Sequence, residues 1–442
     1  MFYYLGKRVE IDEQLRKARN TLNLWSYGYN ADIDTVIISK DGTLGSVWEV
    51  MGLKIGLPEA PADDKVLNYG LPTHKQVWKR QLLPEGMSSD NWTLPKFFPF
   101  IEEQFYYREH GRWMYCRNEL VYLAPSYWFF LQNYREESDF PRFRIIQNEL
   151  MLFWEACKAD FRCYGMDYVK NRRFGASALG NSELLNLGTI HENKELGIVS
   201  KKGTDARKIF ARLVRSFKRL SPYFKPETDG NTTPKTELVF TEQSRKRKIG
   251  EKVRESVGLE TTIKWHNTEI NAMDGDRIFL SLLDEAGKYP KEVPFDQYWN
   301  IVKTSHRIGS SIVGKAMVVS TVNAMKKGGK EFLNIWKDSD VNQRNNNGQT
   351  KSGLYRIFIP AKYSLEGFFD VYGFSIVDDP KKPTKNDVGN MVDIGAVSFL
   401  RNELEGLKDD PEGQNEFLRQ FPDSERDAFR DEATDCDFNL MV

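Results

Sequence analysis

The chain has 442 residues, 40% hydrophobic and 29% charged, a composition that fits a folded protein of two or three domains and excludes a disordered one. Its 63 basic and 63 acidic residues cancel, so net charge does not indicate a nucleic-acid-binding protein. No apolar run is long enough to cross a membrane, and the four cysteines and five histidines have neither disulfide nor metal-ligand spacing. We therefore expect a cytoplasmic protein without a zinc site.

Residues 1–100 carry little recognisable chemistry, and we interpret them as an N-terminal extension that docks on the rest of the chain. Residues 31–45 have the pattern of two strands joined at Asp41-Gly42, which predicts a β-hairpin. A Pro-rich connector follows at residues 57–64.

Aromatic residues are dense between positions 95 and 160. Beside nearby arginines they could stack on nucleic-acid bases, but their spacing favours a protein core. The segment ends in a predicted helix over residues 149–157, and Gln147 lies at its start.

The stretch from Gly165 to Ala178 predicts a strand, a cationic turn and a helix that begins near Ser177. Backbone N–H groups and the positive end of a helix dipole meet in such a turn, which suits a phosphate. The template G-x-x-x-x-G-K-[ST] fits in part, because Gly175 and Ser177 match while Ala176 replaces the lysine. Lys170, at the front of the turn, is in a position to supply the missing cation. Considered without its context, the turn is more typical of a solvated basic surface than of a phosphate site.

Strands and helices alternate through the middle of the chain, which predicts a mostly parallel sheet covered by helices. The predicted helices span residues 204–220 and 296–308, and the predicted strands span residues 196–200, 237–241, 261–265 and 269–272. Charge is unevenly spread here, since residues 201–254 are rich in lysine and arginine and residues 403–437 in acids.

The run from Arg277 to Ala286 is apolar and ends in Asp284-Glu285, which predicts a buried strand with two carboxylates at the carboxyl edge of the sheet. In a nucleotide site Asp284 would hold the Mg²⁺ shell and Glu285 would deprotonate the attacking water. An acidic turn after a core strand is the ordinary alternative. A later strand, residues 316–319, ends in polar residues that could sense the γ-phosphate, namely Ser320, Thr321 and Asn323.

These motifs together resemble the ATPase of the large terminase subunits of tailed bacteriophages, from about residue 100 to the end of the chain. The matching motifs are K-x-R-R-x-G-x-S from Lys170, D-E-A-G from Asp284, V-V-S-T-V-N from Val318, H-G-R-W from His110, R-Q-F-P-D-S-E-R-D-A-F from Arg419, and Phe438-Asn439. Several terminases share this deviant loop, with its lysine at the front.

The resemblance implies a P-loop NTPase of the additional-strand class, with an ATPase domain over residues 101–360 and a lid or linker over residues 361–442. It implies catalytic roles for Lys170, Arg173, Asp284 and Glu285. Phosphates would be bound by Lys170, Asn171, Arg172, Arg173, Phe174, Gly175, Ala176, Ser177 and Ala178. Gln147 would read adenine, Ser177 and Asp284 would hold Mg²⁺, and Ser320, Thr321 and Asn323 would couple hydrolysis to movement.

The function implied is an ATP-hydrolysing motor that moves double-stranded DNA into a procapsid in the host cytoplasm. Its partners would be the portal protein, the small terminase subunit and further copies of the chain in a ring. Large terminases continue beyond Phe-Asn into a nuclease, so we expect this chain to be the ATPase portion of a longer polypeptide, or half of a split gene, without nuclease activity. A helicase or remodelling ATPase, and a structural phage protein with a degenerate nucleotide fold, stay open as alternatives.

Overall fold

A computed structural model of the chain describes residues 2–62, 66, 70–136, 139–241 and 258–431. The basic run at residues 245–248 and Phe438-Asn439 lie outside these residues. The described helices are α1 (Glu13–Thr21), α2 (Phe98–His110), α3 (Pro125–Asn133), α4 (Ile145–Ala159), α5 (Ala176–Gly188), α6 (Gly203–Lys218), α7 (Phe295–Ser305), α8 (Gly329–Asp338), α9 (Ala396–Gly406), α10 (Pro411–Gln420) and α11 (Glu425–Ala428). None of these helices has the length and apolar character needed to cross a membrane.

The described strands are short and are distributed along the chain from residue 7 to residue 392. They are β1 (Lys7–Val9), β2 (Gly28–Asn30), β3 (Thr35–Ile37), β4 (Ser46–Val50), β5 (Leu53–Leu57), β6 (Arg112–Cys116), β7 (Glu119–Leu123), β8 (Gly165–Val169), β9 (Glu195–Val199), β10 (Glu237–Phe240), β11 (Thr261–Trp265), β12 (Ile278–Asp284), β13 (Arg307–Ile308), β14 (Ser311–Ile312), β15 (Lys315–Ser320), β16 (Leu354–Phe358), β17 (Thr384–Lys385) and β18 (Met391–Val392).

The largest sheet in the described part of the chain has seven strands in the order β10, β11, β9, β12, β15, β8, β16. Neighbouring strands are parallel except for β10 and β11, which confirms the predicted mostly parallel α/β sheet. Strand β15 lies between β8, which leads into the cationic turn, and β12, which carries the acids. One additional strand therefore separates the two, as the additional-strand class of P-loop folds requires.

Both faces of this sheet are covered. Successive side chains along a strand point to opposite faces, so each strand contributes to two cores. Met166 and Tyr168 of β8 belong to an apolar core shared with α4, α5 and α6. Val169 belongs to a second core, which includes Trp299 of α7 and Trp336 of α8. Burial on both faces explains why the sequence of these strands is nearly continuous in apolar residues rather than alternating.

The parallel strands end level with one another at the carboxyl edge. Val169 is opposite Ser320, Asp284 is opposite Val319, and Leu283 is opposite Val199. The residues that follow β8, β9, β12 and β15 therefore lie along one line, and that line is where the candidate functional residues occur.

The N-terminal part forms a separate five-stranded sheet, and the predicted hairpin at Asp41-Gly42 is wrong. The strand order is β1, β4, β5, β3, β2, so β5 lies between the two strands expected to pair. Strand β5 takes the central place because Leu53, Ile55 and Leu57 are all buried. The predicted strand at residues 269–272 is also wrong; this segment forms turns, in which the Ala272 N–H donates to the Glu269 carbonyl.

One apolar core runs across the predicted boundary at residue 100, since it includes Phe2 and Val36 as well as Tyr355 and Ile359. The proposed domain limits at residues 100 and 360 stay predictions. The N-terminus is fixed by a buried acid: the Glu149 carboxylate of α4 accepts hydrogen bonds from the backbone N–H groups of Tyr3, Tyr4 and Leu5.

Glu149 gives the first testable prediction. Burial raises its pKa to about 7, although the backbone donors oppose the rise. A raised pKa in the folded state means that the folded chain binds more protons than the unfolded chain between about pH 4.5 and pH 7, so this group's contribution to stability falls as pH rises through that window. As pH rises through this window, the free energy of unfolding of the wild type should fall relative to that of Glu149→Gln, by up to about 1.4 kcal/mol per unit of pKa difference.

Urea unfolding of both proteins at pH 5 and pH 8 measures this change. The exposed acid Glu292 supplies a matched Gln variant, which controls for the loss of one carboxylate at the surface. A constant difference between the wild type and Glu149→Gln at the two pH values contradicts the prediction.

Candidate active site

The loop between β8 and α5 turns sharply at two residues with positive φ, Arg173 at 66° and Gly175 at 91°. At Gly175 any side chain would be strained, and its Cβ would lie 3.2 Å from Nε2 of Gln147. The glycine therefore lets the chain enter α5 directly from the loop. The first N–H groups of a helix have no acceptor within the helix, so the start of α5 offers donors to an anion.

Two side chains hold the loop against the core. Phe174 is buried and meets the Tyr168 ring edge-on, with 5.3 Å between ring centroids. Gln147 donates from Nε2 to the Phe174 carbonyl at 2.8 Å and accepts from the Tyr127 hydroxyl at 3.2 Å. Gln147 thus supports the loop from below, and its predicted contact with adenine stays a prediction.

The front of the loop is held by the C-terminal part of the chain. The Ser364 hydroxyl donates to Oδ1 of Asn171 at 2.9 Å. Arg172 donates from its backbone N–H to the Gln420 carbonyl at 2.9 Å and from its guanidinium to Oε1 of Gln420 at 2.7 Å. Arg173 is exposed and makes no hydrogen bond within the described residues. Of the two loop arginines, Arg173 is the one free to approach a phosphate.

Lys170 is buried at the centre of the candidate site. Its Nζ lies 2.9 Å from Oε1 of Glu285 and 4.0 Å from Oδ1 of Asp284, and its backbone N–H donates to the Ser320 carbonyl. Burial by itself lowers the pKa of Lys170, but the two carboxylates outweigh it and the pKa is raised. The lysine is therefore a permanent cation in this arrangement.

Asp284 is held by hydroxyl groups from two other elements. Ser177, in the first turn of α5, donates to Oδ1 at 2.6 Å, and Ser200, directly after β9, donates to Oδ2 at 3.1 Å. Burial raises the pKa of Asp284, while Lys170 and the two hydroxyls oppose the rise. Both oxygens of this carboxylate are consequently fixed in direction.

Glu285 takes a left-handed backbone conformation, with φ 52°, as the chain leaves β12. Its Oε2 accepts from the Thr321 hydroxyl at 3.1 Å and lies 3.0 Å from Nζ of Lys288. Burial raises the pKa of Glu285, but Lys170 and Lys288 outweigh it and hold the pKa at about 2. The carboxylate is thus ionised and has a partner on each oxygen.

The three predicted sensor residues behave differently. Thr321 contacts Glu285, and the Ser320 hydroxyl accepts from the Gly287 N–H at 2.9 Å, so both touch the acidic segment. Asn323 meets the same segment through its backbone N–H, which donates to the Gly287 carbonyl at 3.3 Å, while its side chain donates to the Lys327 carbonyl at 2.8 Å and contributes to the turn.

The donor set fits a magnesium ion that arrives together with a nucleotide. No group of three or more His, Cys, Asp and Glu side chains in the described ranges could hold a metal ion by itself. Mg²⁺ is commonly bound through one or two carboxylates, with phosphate oxygens and water completing its shell. Asp284 and the Ser177 hydroxyl beside it provide such a partial shell.

Two residues of the site, Ser200 and Lys288, were missed by the sequence analysis. Ser200 ends a predicted strand next to the acidic one, and the rule that polar residues at the carboxyl edge converge could have found it. Lys288 has no signal in the sequence apart from following Glu285 by three positions.

No family model matches the chain, and no curated protein does. Among the solved structures that match it are large terminases of bacteriophages. The ATPase domain from Thermus phage P74-26 is 14% identical over 58% of this chain and 86% of its own, with a TM-score of 0.38. The large terminase of bacteriophage HK97 is 17% identical over 53% of this chain and 43% of its own, also with a TM-score of 0.38. These values are too low to assign the chain to a family.

The ion pair yields the second prediction. Lys170→Met leaves two adjacent buried carboxylates without their shared cation, and we expect the free energy of unfolding to fall by about 3 kcal/mol. Adding Glu285→Gln removes one of the two charges, so the double variant should recover most of the loss. Urea unfolding of the single and double variants measures the coupling.

Lys288→Met is the matched control, because the Lys288 side chain is 27% exposed and contacts Glu285 from outside. We expect it to cost less than about 1 kcal/mol. Equal losses for the two lysine variants, or no recovery in the double variant, would show that Lys170 is not the cation on which the acids depend.

Proposed function

We propose that the chain is an ATPase that drives the movement of double-stranded DNA into a viral procapsid. The observation that carries the proposal is the convergence of Lys170, Ser177, Asp284, Glu285 and Thr321 at one edge of a parallel sheet. A phosphate-binding loop, a carboxylate with a hydroxyl neighbour and a second carboxylate are the parts that phosphoryl transfer to water needs.

The residues divide the chemistry between them. Lys170 and the N–H groups at the start of α5 bind the phosphates, and Arg173 offsets charge that develops on them. Ser177 and Asp284 hold Mg²⁺, which supplies positive charge to the phosphate oxygens when bound. Glu285 accepts the proton of the attacking water. Lys170 must exchange Glu285 for the phosphates when a nucleotide binds, and this exchange leaves Glu285 free to contact the water.

A conformational change that depends on the bound nucleotide would be transmitted from the site to the rest of the chain through β15. Thr321 contacts Glu285, the proposed general base, and Ser320 contacts Gly287 in the turn that follows Glu285. A movement of Glu285 is therefore transmitted directly to the end of β15. We assign the coupling of hydrolysis to movement to Ser320 and Thr321, with Asn323 shaping the turn beyond them. A ring of copies on the portal protein, with the small terminase subunit as a further partner, completes the proposed motor.

The surface proposed for DNA is the outer face of α6. The inner face of this helix is buried and includes Ile209, Phe210 and Leu213, whereas its outer face is basic. The exposed cations of this face are Arg207, Lys208, Arg212, Arg215 and Lys218, and the exposed Arg219 follows directly after the helix. Among the described residues Arg207, Arg215 and Lys218 make no ion pair, so their charge is available to phosphates. Contacts of this kind read no sequence and weaken steeply with salt.

The third prediction tests the catalytic assignment. Glu285→Gln keeps the size of the side chain and removes the base, so turnover should fall by at least about a hundredfold while ATP binding changes little. Steady-state phosphate release and equilibrium ATP binding with and without Mg²⁺ measure the two properties. Glu292→Gln, an exposed acid seven positions later, is the control. Undiminished hydrolysis in Glu285→Gln rules out this base, and absence of ATP binding in the wild type favours a degenerate, non-catalytic fold.

The fourth prediction concerns DNA. Replacing Arg207, Arg215 and Lys218 by Ala should weaken binding to duplexes of any sequence and lower the slope of log affinity against log salt by about one for each DNA phosphate that is no longer neutralised. Lys381, Lys382 and Lys408, three exposed lysines of the C-terminal part, give a control with the same change of net charge. An equal effect of both triple variants contradicts the assignment.

A portal-dependent packaging assay then separates a packaging motor from a helicase.

A further inference from the structure

Ser200 lies between the candidate active site and the basic face of α6. Its hydroxyl donates to Oδ2 of Asp284 at 3.1 Å, and its side chain is fully buried. The Thr268 hydroxyl donates to the Ser200 carbonyl at 2.6 Å, so the backbone here is held from the other side. Residue 203, the first of α6, follows only three positions later.

Helix α6 is also attached to the helix that carries Ser177. The Asn181 amide of α5 donates to the Ile209 carbonyl of α6 at 2.9 Å, and Asn181 is buried. Asn181 lies one turn after Ser177. Thus α6 connects to both side chains of the partial magnesium shell, to Asp284 through Ser200 and to Ser177 through α5.

We propose that Ser200 is a positioning residue through which phosphates bound along α6 control the rate of ATP hydrolysis. This inference rests on the proposed function. A polyanion on Arg207, Arg215 and Lys218 pulls on α6, and the short connection from residue 200 to residue 203 transmits any displacement to the hydrogen bond on Asp284. The direction of the carboxylate then depends on whether α6 is occupied.

The path through Ser200 is distinct from the one through Thr321. Thr321 contacts Glu285, the proposed base for the attacking water, whereas Ser200 contacts Asp284, the carboxylate of the proposed magnesium shell. The two contacts lie on opposite neighbours of β12, since β9 and β15 flank that strand. Replacement of Ser200 should therefore leave the contact of Thr321 with Glu285 in place.

The test compares ATP hydrolysis with and without a saturating DNA duplex in the wild type, Ser200→Ala and Ser200→Cys. Both variants lose the strong hydroxyl donor, and Cys keeps nearly the same volume. We expect the ratio of kcat with DNA to kcat without DNA to fall to about one in both, while the Kd for DNA stays within about twofold of the wild type. Ser182→Ala is the matched control, because the Ser182 hydroxyl is buried in α5 without a hydrogen-bond partner in the described part of the chain.

Retention of the wild-type ratio in Ser200→Ala and Ser200→Cys, with melting temperatures that show both to be folded, overturns the inference. So does an equal fall of the ratio in Ser182→Ala, which would indicate general packing. A double-mutant cycle with the Arg207, Arg215 and Lys218 replacements adds a second reading, since these should not lower the ratio further once Ser200 is replaced. A wild type that hydrolyses ATP and binds DNA without any change in rate overturns this inference alone. A wild type that does not hydrolyse ATP or does not bind DNA overturns the proposed function.

Discussion

Two adjacent carboxylates at the end of a buried strand are costly unless a cation lies between them, and the ammonium of Lys170 supplies that cation. Its position 2.9 Å from Glu285 and 4.0 Å from Asp284 allows both acids to stay inside the protein. The strand order, the loop conformation and the level ends of the parallel strands all serve to bring this ammonium to those acids.

The order of the strands explains why the lysine can be at the front of the loop. Neighbouring strands lie about 4.8 Å apart, so β8 and β12, with β15 between them, are separated by about 10 Å. The four-carbon stem of Lys170 crosses the end of β15, where the Ser320 carbonyl holds its backbone N–H. A lysine that directly follows the last residue of β8 therefore reaches the acids, and Ala176 at the usual position leaves no gap in the charge of the site.

The sequence predicted the parts of this site that depend on local pattern. Apolar runs ending at Val169 and Asp284 indicated buried strands, and Gly175 followed by Ser177 indicated a loop opening a helix. What the sequence could not show is set by contacts between distant segments. Asn171 and Arg172 are held by Ser364 and Gln420, which lie 193 and 248 positions away.

The left-handed conformation of Glu285 and the place of β5 between β3 and β4 depend in the same way on neighbours that no local pattern reveals. Lys170 is the residue whose role follows from both levels, since its position in the loop comes from the sequence and its partners come from the fold. A structure of the chain with Mg²⁺ and a non-hydrolysable ATP analogue tests that role most directly. We predict that Nζ of Lys170 then lies within hydrogen-bond distance of the β- or γ-phosphate and has left Glu285; a bound nucleotide whose phosphates are held by other cations, with the pair of Lys170 and Glu285 unchanged, would contradict it.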